Sequence, residues 1–216
     1  MRPADLVAFA AMLGTPEPAR REAFRLPGQP EIMRVGNVRN DAGDVVAANV
    51  VSHGFHSDMS YRANPAAITM LYAVQVPSRG GDTEYTSLYR LYDELDEETR
   101  RAWAALEVEH ETRSSYFADD PDRRTVRPLI QRHPDSGRSL VFASPAYTQR
   151  VLGLADADSR AILDRVARAI EPPDYAHRWR ENDLIVWDNR AVLHRATEYD
   201  PTEQRCLWRA SIHLRT

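Results

Sequence analysis

Residues 68–76 form a nearly continuous apolar run, and this run limits the folds open to the chain more than any other segment. Apolar runs of this length without polar alternation are typical of a strand that is covered on both faces. We therefore predict a buried strand here. Five further segments that are bounded by turn signals are also predicted to be strands: residues 31–38, 45–51, 140–142, 184–187 and 207–214.

Helical spacing of apolar residues is found in three places. These are residues 5–13, residues 87–106 with an interruption near 93–96, and residues 158–170. Residues 112–128 are polar, charged and irregular, and we predict that they form a lid over a functional site. Many strands with few helices predict a mostly β fold with flanking helices, for which a two-sheet jelly roll (cupin-like) is one solution.

Charge and cysteine content exclude several classes of protein. The chain has 216 residues, a net charge of −4 and one cysteine, Cys206. A single cysteine cannot form an intrachain disulfide, so we predict a cytoplasmic location. No basic tail and no apolar run of membrane-spanning length is present, so neither nucleic acid nor a membrane is an expected partner. All 28 basic residues are arginine, which excludes Schiff-base lysine chemistry. One domain spanning residues 1–216 is expected.

His56, Asp58 and the distant His194 form a candidate metal-binding set. Alternate residues of an extended strand point the same way, so His56 and Asp58 share a face. A third imidazole would complete the two-histidine, one-carboxylate set of non-haem Fe(II) oxygenases. Taken singly, each residue has a plainer interpretation, as a turn residue, a cap or a core histidine. The remaining histidines are predicted to be surface or packing residues: His53, His110, His133, His177 and His213.

Two dense blocks of motifs surround this set. They contain Phe55-His56-Ser57-Asp58, Gly80-Gly81-Asp82-Thr83, Trp187-Asp188-Asn189-Arg190, His194, Arg205 and Arg209. In order and spacing the blocks resemble the taurine dioxygenase family of Fe(II)/2-oxoglutarate-dependent oxygenases, from about Leu6 to the C-terminus. The resemblance implies the double-stranded β-helix of that family, with Fe(II) bound by His56, Asp58 and His194.

The same resemblance implies a site for 2-oxoglutarate. Its distal carboxylate would bind to Arg205 and to the hydroxyl of Thr83. A guanidinium suits this task because its planar fork matches a carboxylate with two parallel hydrogen bonds. Arg205, Leu207 and Arg209 alternate along a predicted strand and share one face. The plainer alternative puts that arginine face in solvent, with Cys206 and Trp208 in the core.

Four residues correspond to family positions near the substrate. Arg209 matches a position that binds the anionic group of a sulfonate, although a salt bridge that supports Arg205 or the co-substrate is an equal alternative. Tyr147 and Tyr116 fall near aromatic pocket positions, and Ser52 falls where a polar contact is often found. Aromatic residues in such segments are also common in cores, so packing is the alternative for both tyrosines.

The resemblance implies a dioxygenase that hydroxylates a small anionic molecule, such as a sulfonate, sulfate, aryloxy acid or amino acid. Iron, 2-oxoglutarate and O₂ would take part, and succinate and CO₂ would be released. The chain is predicted to be shortened at its N-terminus relative to the family, which would leave the pocket more open or, in a homo-oligomer, completed by another subunit. Two alternatives remain at this point: a truncated, non-catalytic protein that binds metal or 2-oxoglutarate, and a zinc hydrolase, for which no general base is evident.

Overall fold

The computed structural model describes residues 1–48, 54–114 and 120–215. The helices of this part of the chain are α1 (Pro3–Leu13), α2 (Leu88–Asp93), α3 (Glu97–Trp103) and α4 (Asp156–Ala169), with a 3₁₀ turn at Glu22–Phe24. None of them is long and apolar enough to span a bilayer.

Strands make up the rest of the regular structure. They are β1 (Thr15–Glu17), β2 (Arg25–Leu26), β3 (Gln29–Gly36), β4 (Ile68–Gln75), β5 (Thr83–Ser87), β6 (Glu107–Glu111), β7 (Arg124–Pro128), β8 (Ile130–Arg132), β9 (Ser139–Val141), β10 (Thr148–Val151), β11 (Tyr175–His177), β12 (Leu184–Asp188), β13 (Val192–Ala196) and β14 (Cys206–His213).

The larger sheet has the order β12-β4-β14-β3-β2, with β1 also paired to β14. Its strands are antiparallel. Helix α1 covers one face of this sheet, where Leu6 and Ala10 pack with Met70 and Ile212. The opposite face carries a second apolar cluster that includes Leu207. Because both faces of β4 are covered, its sequence is apolar without alternation.

The smaller sheet has the order β11-β5-β13 and is also antiparallel. An isolated antiparallel bridge between His56 and His194 extends it by one more segment. The two sheets pack against each other through Tyr85, Trp187 and Leu207. The segments that contribute to one sheet or the other include, in chain order, β3, the His56 segment, β4, β5, β11, β12, β13 and β14. This is the two-sheet arrangement of the jelly-roll class.

A third layer supports the smaller sheet from outside. Here α2, α3 and α4, together with the β10-β6-β7 and β8-β9 sheets, bury a cluster that includes Leu88, Trp103, Val166 and Leu193. Leu193 belongs to β13, so this cluster holds the outer face of the strand whose next residue is His194. The site is therefore built on strands that are packed on both sides.

The expected mostly β fold with flanking helices is confirmed, as are the buried strand at β4 and the three helical segments. Two expectations are wrong. Residues 45–48 form only isolated bridges rather than a strand, through Val45 and Ala48, and the rest of the predicted 45–51 strand lies outside the described residues. Within the segment expected to be irregular, β7 is a regular strand because it pairs with β6 along its whole length.

Candidate active site

His56, Asp58 and His194 converge between the two sheets. The backbones of His56 and His194 exchange two hydrogen bonds, of 3.0 and 2.8 Å, which place the two imidazoles side by side. Nε2 of His56 lies 3.8 Å from Oδ1 of Asp58, and Nε2 of His194 lies 4.0 Å from Oδ2. One ligand atom from each residue lies within 4.8 Å of the others. Two imidazoles and one carboxylate at this separation could hold a single metal ion.

The amide of Asn189 fixes the loop that carries Asp58. Its Nδ2 donates to the carbonyl oxygens of Asp58 and Ala66, both at 2.9 Å, and its Oδ1 accepts from the Asp58 N–H at 2.7 Å. The neighbouring Ser57 hydroxyl donates to the Asn189 carbonyl oxygen at 2.6 Å. Asn189 is 1% exposed, so these bonds are formed away from water. The Trp-Asp-Asn-Arg motif thus positions the His-Ser-Asp motif.

The charge states of the three residues suit a metal. Burial disfavours the Asp58 carboxylate, but Arg209, His194, His56 and the Thr69 hydroxyl outweigh it and lower the pKa of Asp58 to about 2. Burial and the neighbouring His56 lower the pKa of His194 to about 3. Nδ1 of His56 lies 3.0 Å from the Gly54 carbonyl oxygen, so the proton belongs on Nδ1 and the lone pair on Nε2. Near neutral pH, His194 is neutral and Asp58 is ionised, as metal ligation requires.

Arg205 lies buried between the sheets and is 1% exposed. Its Nε donates to the Gly81 carbonyl oxygen at 2.9 Å, whereas its Nη1 has no hydrogen-bond partner among the described residues. Burial lowers the pKa of Arg205 to about 10. A buried cation with an unused N–H needs an anion, so the interior beside Arg205 fits a carboxylate. We call this part of the interior, with Arg205 and Thr83 as its donors, the co-substrate slot.

The close approach of Arg205 to the backbone requires glycine at position 81. It has a φ of +67°, which favours glycine, and a Cβ there would lie 3.1 Å from Nε of Arg205 and 2.9 Å from Cγ of Pro77. The second glycine of Gly-Gly-Asp-Thr therefore allows the arginine to lie against the backbone.

Thr83 supplies a hydroxyl on the opposite sheet. It is 2% exposed, and its Oγ1 accepts a hydrogen bond of 2.9 Å from Nε1 of Trp179. An indole N–H can only donate, so the Thr83 hydroxyl keeps its own proton for another acceptor. Arg205 and Thr83 together offer the donors that a carboxylate needs, and the residues present fit 2-oxoglutarate.

A cavity of about 210 Å³ opens beside the His/Asp cluster. Arg209 lies in its wall, where Nη1 donates to Oδ1 of Asp58 at 2.7 Å and the buried Nε has no partner among the described residues. Tyr147 also lines the cavity, with its ring edge-on to His56 at 5.9 Å between centroids. Much of the remaining wall is apolar and includes Phe24, Met33, Val45, Ala47 and Met59.

Comparison with known proteins identifies the family that shares these features. The family described as "Taurine catabolism dioxygenase TauD, TfdA family" matches residues 1–211. The chain belongs to the TauD/TfdA family. Its members are Fe(II)- and 2-oxoglutarate-dependent dioxygenases, and this protein is therefore an oxidoreductase that uses Fe(II), 2-oxoglutarate (α-ketoglutarate) and O₂ with a small-molecule substrate.

Individual TauD/TfdA relatives cover nearly the whole chain. Pentalenolactone F synthase of Streptomyces arenae is 34% identical, over 84% of this chain and 68% of the synthase. The alpha-ketoglutarate-dependent 2,4-dichlorophenoxyacetate dioxygenase of Cupriavidus pinatubonensis is 33% identical, over 95% of this chain and 78% of that enzyme. The structure of AAD-2 in complex with Mn(II) and N-oxalylglycine is similar at a TM-score of 0.83 and 26% identity, over 98% of this chain and 81% of that chain. These matches confirm the expected fold class.

The residues predicted from the TauD/TfdA motifs fall into two groups. The structure brings together His56, Asp58 and His194, buries Thr83 and Arg205 in the interior, and puts Arg209 and Tyr147 in the cavity wall. Ser52 and Tyr116 lie outside the described residues. The arginine face of β14 points inward, so the alternative with Arg205 and Arg209 in solvent is wrong. The acidic partner of Arg209 is Asp58. Neither sequence-based interpretation of Arg209, as a substrate contact or as a support for Arg205 and the co-substrate, includes this partner.

Sequence reasoning missed Asn189 and Tyr61, a buried residue whose ring contacts that of Tyr147 at 5.0 Å. Membership of the Trp-Asp-Asn-Arg motif was the available signal for Asn189. A second cluster, of His133, Asp135 and Asp188, is held by its own bonds. Nε2 of His133 lies 2.9 Å from Asp188, and Arg190 pairs with Asp188 and Asp135. Because these groups satisfy one another, the cluster is structural.

Proposed function

We propose that this TauD/TfdA-family dioxygenase hydroxylates a small anion with an apolar body, in the cavity bounded by Arg209 and Tyr147. The observation that supports this best is the sharing of one interior by the His56, Asp58 and His194 cluster, the buried Arg205 and a largely apolar cavity with Arg209 in its wall.

Fe(II) would be held by His56, Asp58 and His194. When bound, iron and 2-oxoglutarate would supply the oxidising chemistry: 2-oxoglutarate would become succinate and CO₂, with one oxygen atom of O₂ in succinate and the other in the hydroxylated substrate. The protein's own residues set the geometry. Asn189 fixes the backbone of Asp58, and Thr69 and Arg209 hold its carboxylate by hydrogen bonds of 3.1 and 2.7 Å. Such contacts orient a ligand and keep it ionised.

The distal carboxylate of 2-oxoglutarate would lie between Arg205 of the larger sheet and Thr83 of the smaller one. Arg205 offers its unused Nη1–H, and Trp179 orients the Thr83 hydroxyl as a donor. The hydroxyl of a neutral acid would need an acceptor, but the guanidinium has none and the Thr83 oxygen already accepts from Trp179, so the slot favours an ionised carboxylate.

Arg209 would attract the anionic end of the substrate. Its Nη1 is engaged with Asp58, while its Nε remains available to a second anion. The apolar wall would receive the rest of the molecule, and Tyr147 would border it next to His56. Relatives of this chain include enzymes named as dioxygenases of 2,4-dichlorophenoxyacetate and (S)-phenoxypropionate, which are carboxylates with an aromatic body. We therefore rank aryloxy acids first, followed by sulfonates and sulfates.

The comparisons give no support to the non-catalytic alternative. The side chains proposed for iron and 2-oxoglutarate are all buried: His56, Asp58, His194, Thr83 and Arg205. A single domain, a cytoplasmic location and a homo-oligomeric state stay predictions from the sequence.

The test is succinate formation from 2-oxoglutarate by Fe(II)-loaded protein in the presence of O₂, across a panel of aryloxy acids, sulfonates, sulfates and amino acids. We expect stimulation by an anionic substrate and loss of turnover in Asp58→Ala. The matched control is Asp135→Ala, which removes an exposed carboxylate from the second cluster and should retain turnover. Unchanged succinate formation in Asp58→Ala would contradict the ligand assignment.

The two arginines can be separated in the same assay. Arg205→Ala should raise the KM for 2-oxoglutarate, and Arg209→Ala should weaken substrate binding. If Arg205→Ala changes only the affinity for substrate, the two assignments are reversed.

A further inference from the structure

Tyr85 belongs to β5 and lies two residues beyond Thr83, so both side chains point into the space between the sheets. It pairs in register with His194 of β13. Tyr85 is 7% exposed and packs in the same cluster as Trp187 and Leu207. The residue thus lies beside the metal-binding cluster, on the strand face that also carries Thr83.

The hydroxyl of Tyr85 has no hydrogen-bond partner among the described residues. A phenol hydroxyl, with an ordinary pKa of about 10, is a neutral donor at physiological pH. Buried hydroxyls are normally hydrogen-bonded, because water cannot replace the missing partner. This donor therefore calls for an acceptor.

The ring of Tyr85 is held in place by its neighbours. Trp187 meets it edge-on at 5.4 Å, and His194 and Tyr175 stack on it at 6.3 and 6.1 Å. With its ring fixed in this way, the hydroxyl stays in the interior.

Two of the co-substrate donors lie near Tyr85. Thr83 is on the same face of β5, and Arg205 lies two residues before Leu207, which packs in the same cluster as Tyr85. Neither forms a hydrogen bond of normal geometry with the phenol. A guanidinium can only donate, and the Thr83 oxygen already accepts from Trp179. Arg205, Thr83 and Tyr85 are therefore three buried donors with unmet capacity on the facing sides of the two sheets, as a carboxylate with several lone pairs requires.

We propose that the Tyr85 hydroxyl donates a hydrogen bond to the distal carboxylate of 2-oxoglutarate, as a third donor beside Arg205 and Thr83. The inference rests on the proposed function, because it assumes that 2-oxoglutarate occupies this slot. Its consequence is selectivity: Tyr85 contributes to binding of 2-oxo acids that carry a second carboxylate and contributes nothing to those that lack it.

The experiment compares Tyr85→Phe with wild type by titration calorimetry of the Mn(II)-loaded protein, with 2-oxoglutarate and with 2-oxobutanoate, which lacks the distal carboxylate. Phenylalanine keeps the ring and removes only the hydroxyl. We expect 2-oxoglutarate to bind about 10-fold more weakly, since hydrogen bonds to charged groups are the stronger ones, and 2-oxobutanoate to bind unchanged. In turnover, the KM for 2-oxoglutarate should rise and kcat should stay the same.

Tyr175→Phe is the matched control. Tyr175 stacks on Tyr85 from the neighbouring strand β11, is 55% exposed and has its hydroxyl near His177, so loss of that hydroxyl should leave both titrations unchanged. Equal weakening of both acids in Tyr85→Phe would mean that the ring environment was altered, and unchanged binding of both would mean that the hydroxyl has no role. Either result overturns the inference while leaving the proposed function intact. Failure of wild-type protein to bind 2-oxoglutarate would instead overturn the proposed function and this inference with it.

Discussion

Replacing Asn189 with alanine would remove the amide that holds the Asp58 loop in place. Three short hydrogen bonds with the backbone would be lost: those with the Asp58 N–H, the Asp58 carbonyl and the Ala66 carbonyl, all between 2.7 and 2.9 Å. A longer contact of 3.2 Å from the Ser57 hydroxyl would go with them. The three backbone groups stay behind in the interior, and the methyl group of alanine cannot replace the amide. The change therefore acts on stability and on the metal-binding geometry together.

The size of the effect follows from these bonds. At about 1 kcal/mol for each buried hydrogen bond, the free energy of unfolding should fall by about 3 kcal/mol. For a chain of this size, that loss corresponds to a melting temperature lower by roughly 6–12 °C. Groups that orient a metal ligand usually contribute about 10- to 100-fold to metal affinity, so Mn(II) binding should weaken within that range.

Urea unfolding of the metal-free protein would measure the first effect, and calorimetric titration with Mn(II) the second. Asn64→Ala is the control, because Asn64 is an exposed asparagine of the same loop region. The reasoning would be refuted if Asn189→Ala lost less than about 1 kcal/mol of stability and bound Mn(II) as wild type does.

Three further changes test other parts of the site. Gly81→Ala would push a methyl group against Arg205 at a φ of +67°, so the KM for 2-oxoglutarate should rise about 10-fold or more with Mn(II) affinity unchanged; weaker Mn(II) binding would argue against this. Trp179→Phe removes the donor that orients the Thr83 hydroxyl, and calorimetry should show 2-oxoglutarate binding several-fold more weakly, whereas equal affinity would contradict that role. Burial and the nearby charge of an arginine lower the pKa of His110 to about 3, so the unfolded chain binds the extra proton first as pH falls below the ordinary histidine value. The free energy of unfolding should therefore decline as the pH falls from about 6.5 to about 3, by up to about 1.4 kcal/mol per pH unit for this residue. In His110→Asn the free energy of unfolding should depend less steeply on pH. Equal pH dependence of the two proteins, measured by urea unfolding at several pH values, would contradict this.

Segments whose own residues demand burial were predictable from the sequence. The apolar run at β4 and the alternating residues of β14 identify their strands because each pattern matches one covered surface. Strand β5, with the sequence Thr-Glu-Tyr-Thr-Ser, has no such pattern and depends on pairing with β11 and β13, which are distant in the chain. The failed strand at residues 45–51 had the right composition, but in residues 45–48 apolar side chains such as Ala47 are buried without a ladder of hydrogen bonds.

The site residues also divide into those that the sequence predicts and those that it does not. Motif spacing identified His56, Asp58 and His194, because a metal restricts which residue types can serve it. It also identified Thr83 and Arg205. The clamp formed by Asn189 and the unpartnered hydroxyl of Tyr85 could not be predicted, since each depends on which backbone or side-chain atoms lie opposite in the folded chain. A sequence motif does not show which atoms lie opposite its side chains in the folded protein.

The two principal donors of the slot come from opposite sheets, Thr83 from the smaller sheet and Arg205 from the end of the larger one. A dicarboxylic acid bound between them would act as a cross-brace, since any separation of the sheets stretches its contacts. Co-substrate affinity should then report on how tightly the sandwich is closed. Substitutions in the shared apolar layer, for example at Leu207, would weaken 2-oxoglutarate binding without touching it. The interior packing of this fold thus influences how tightly the protein binds its co-substrate.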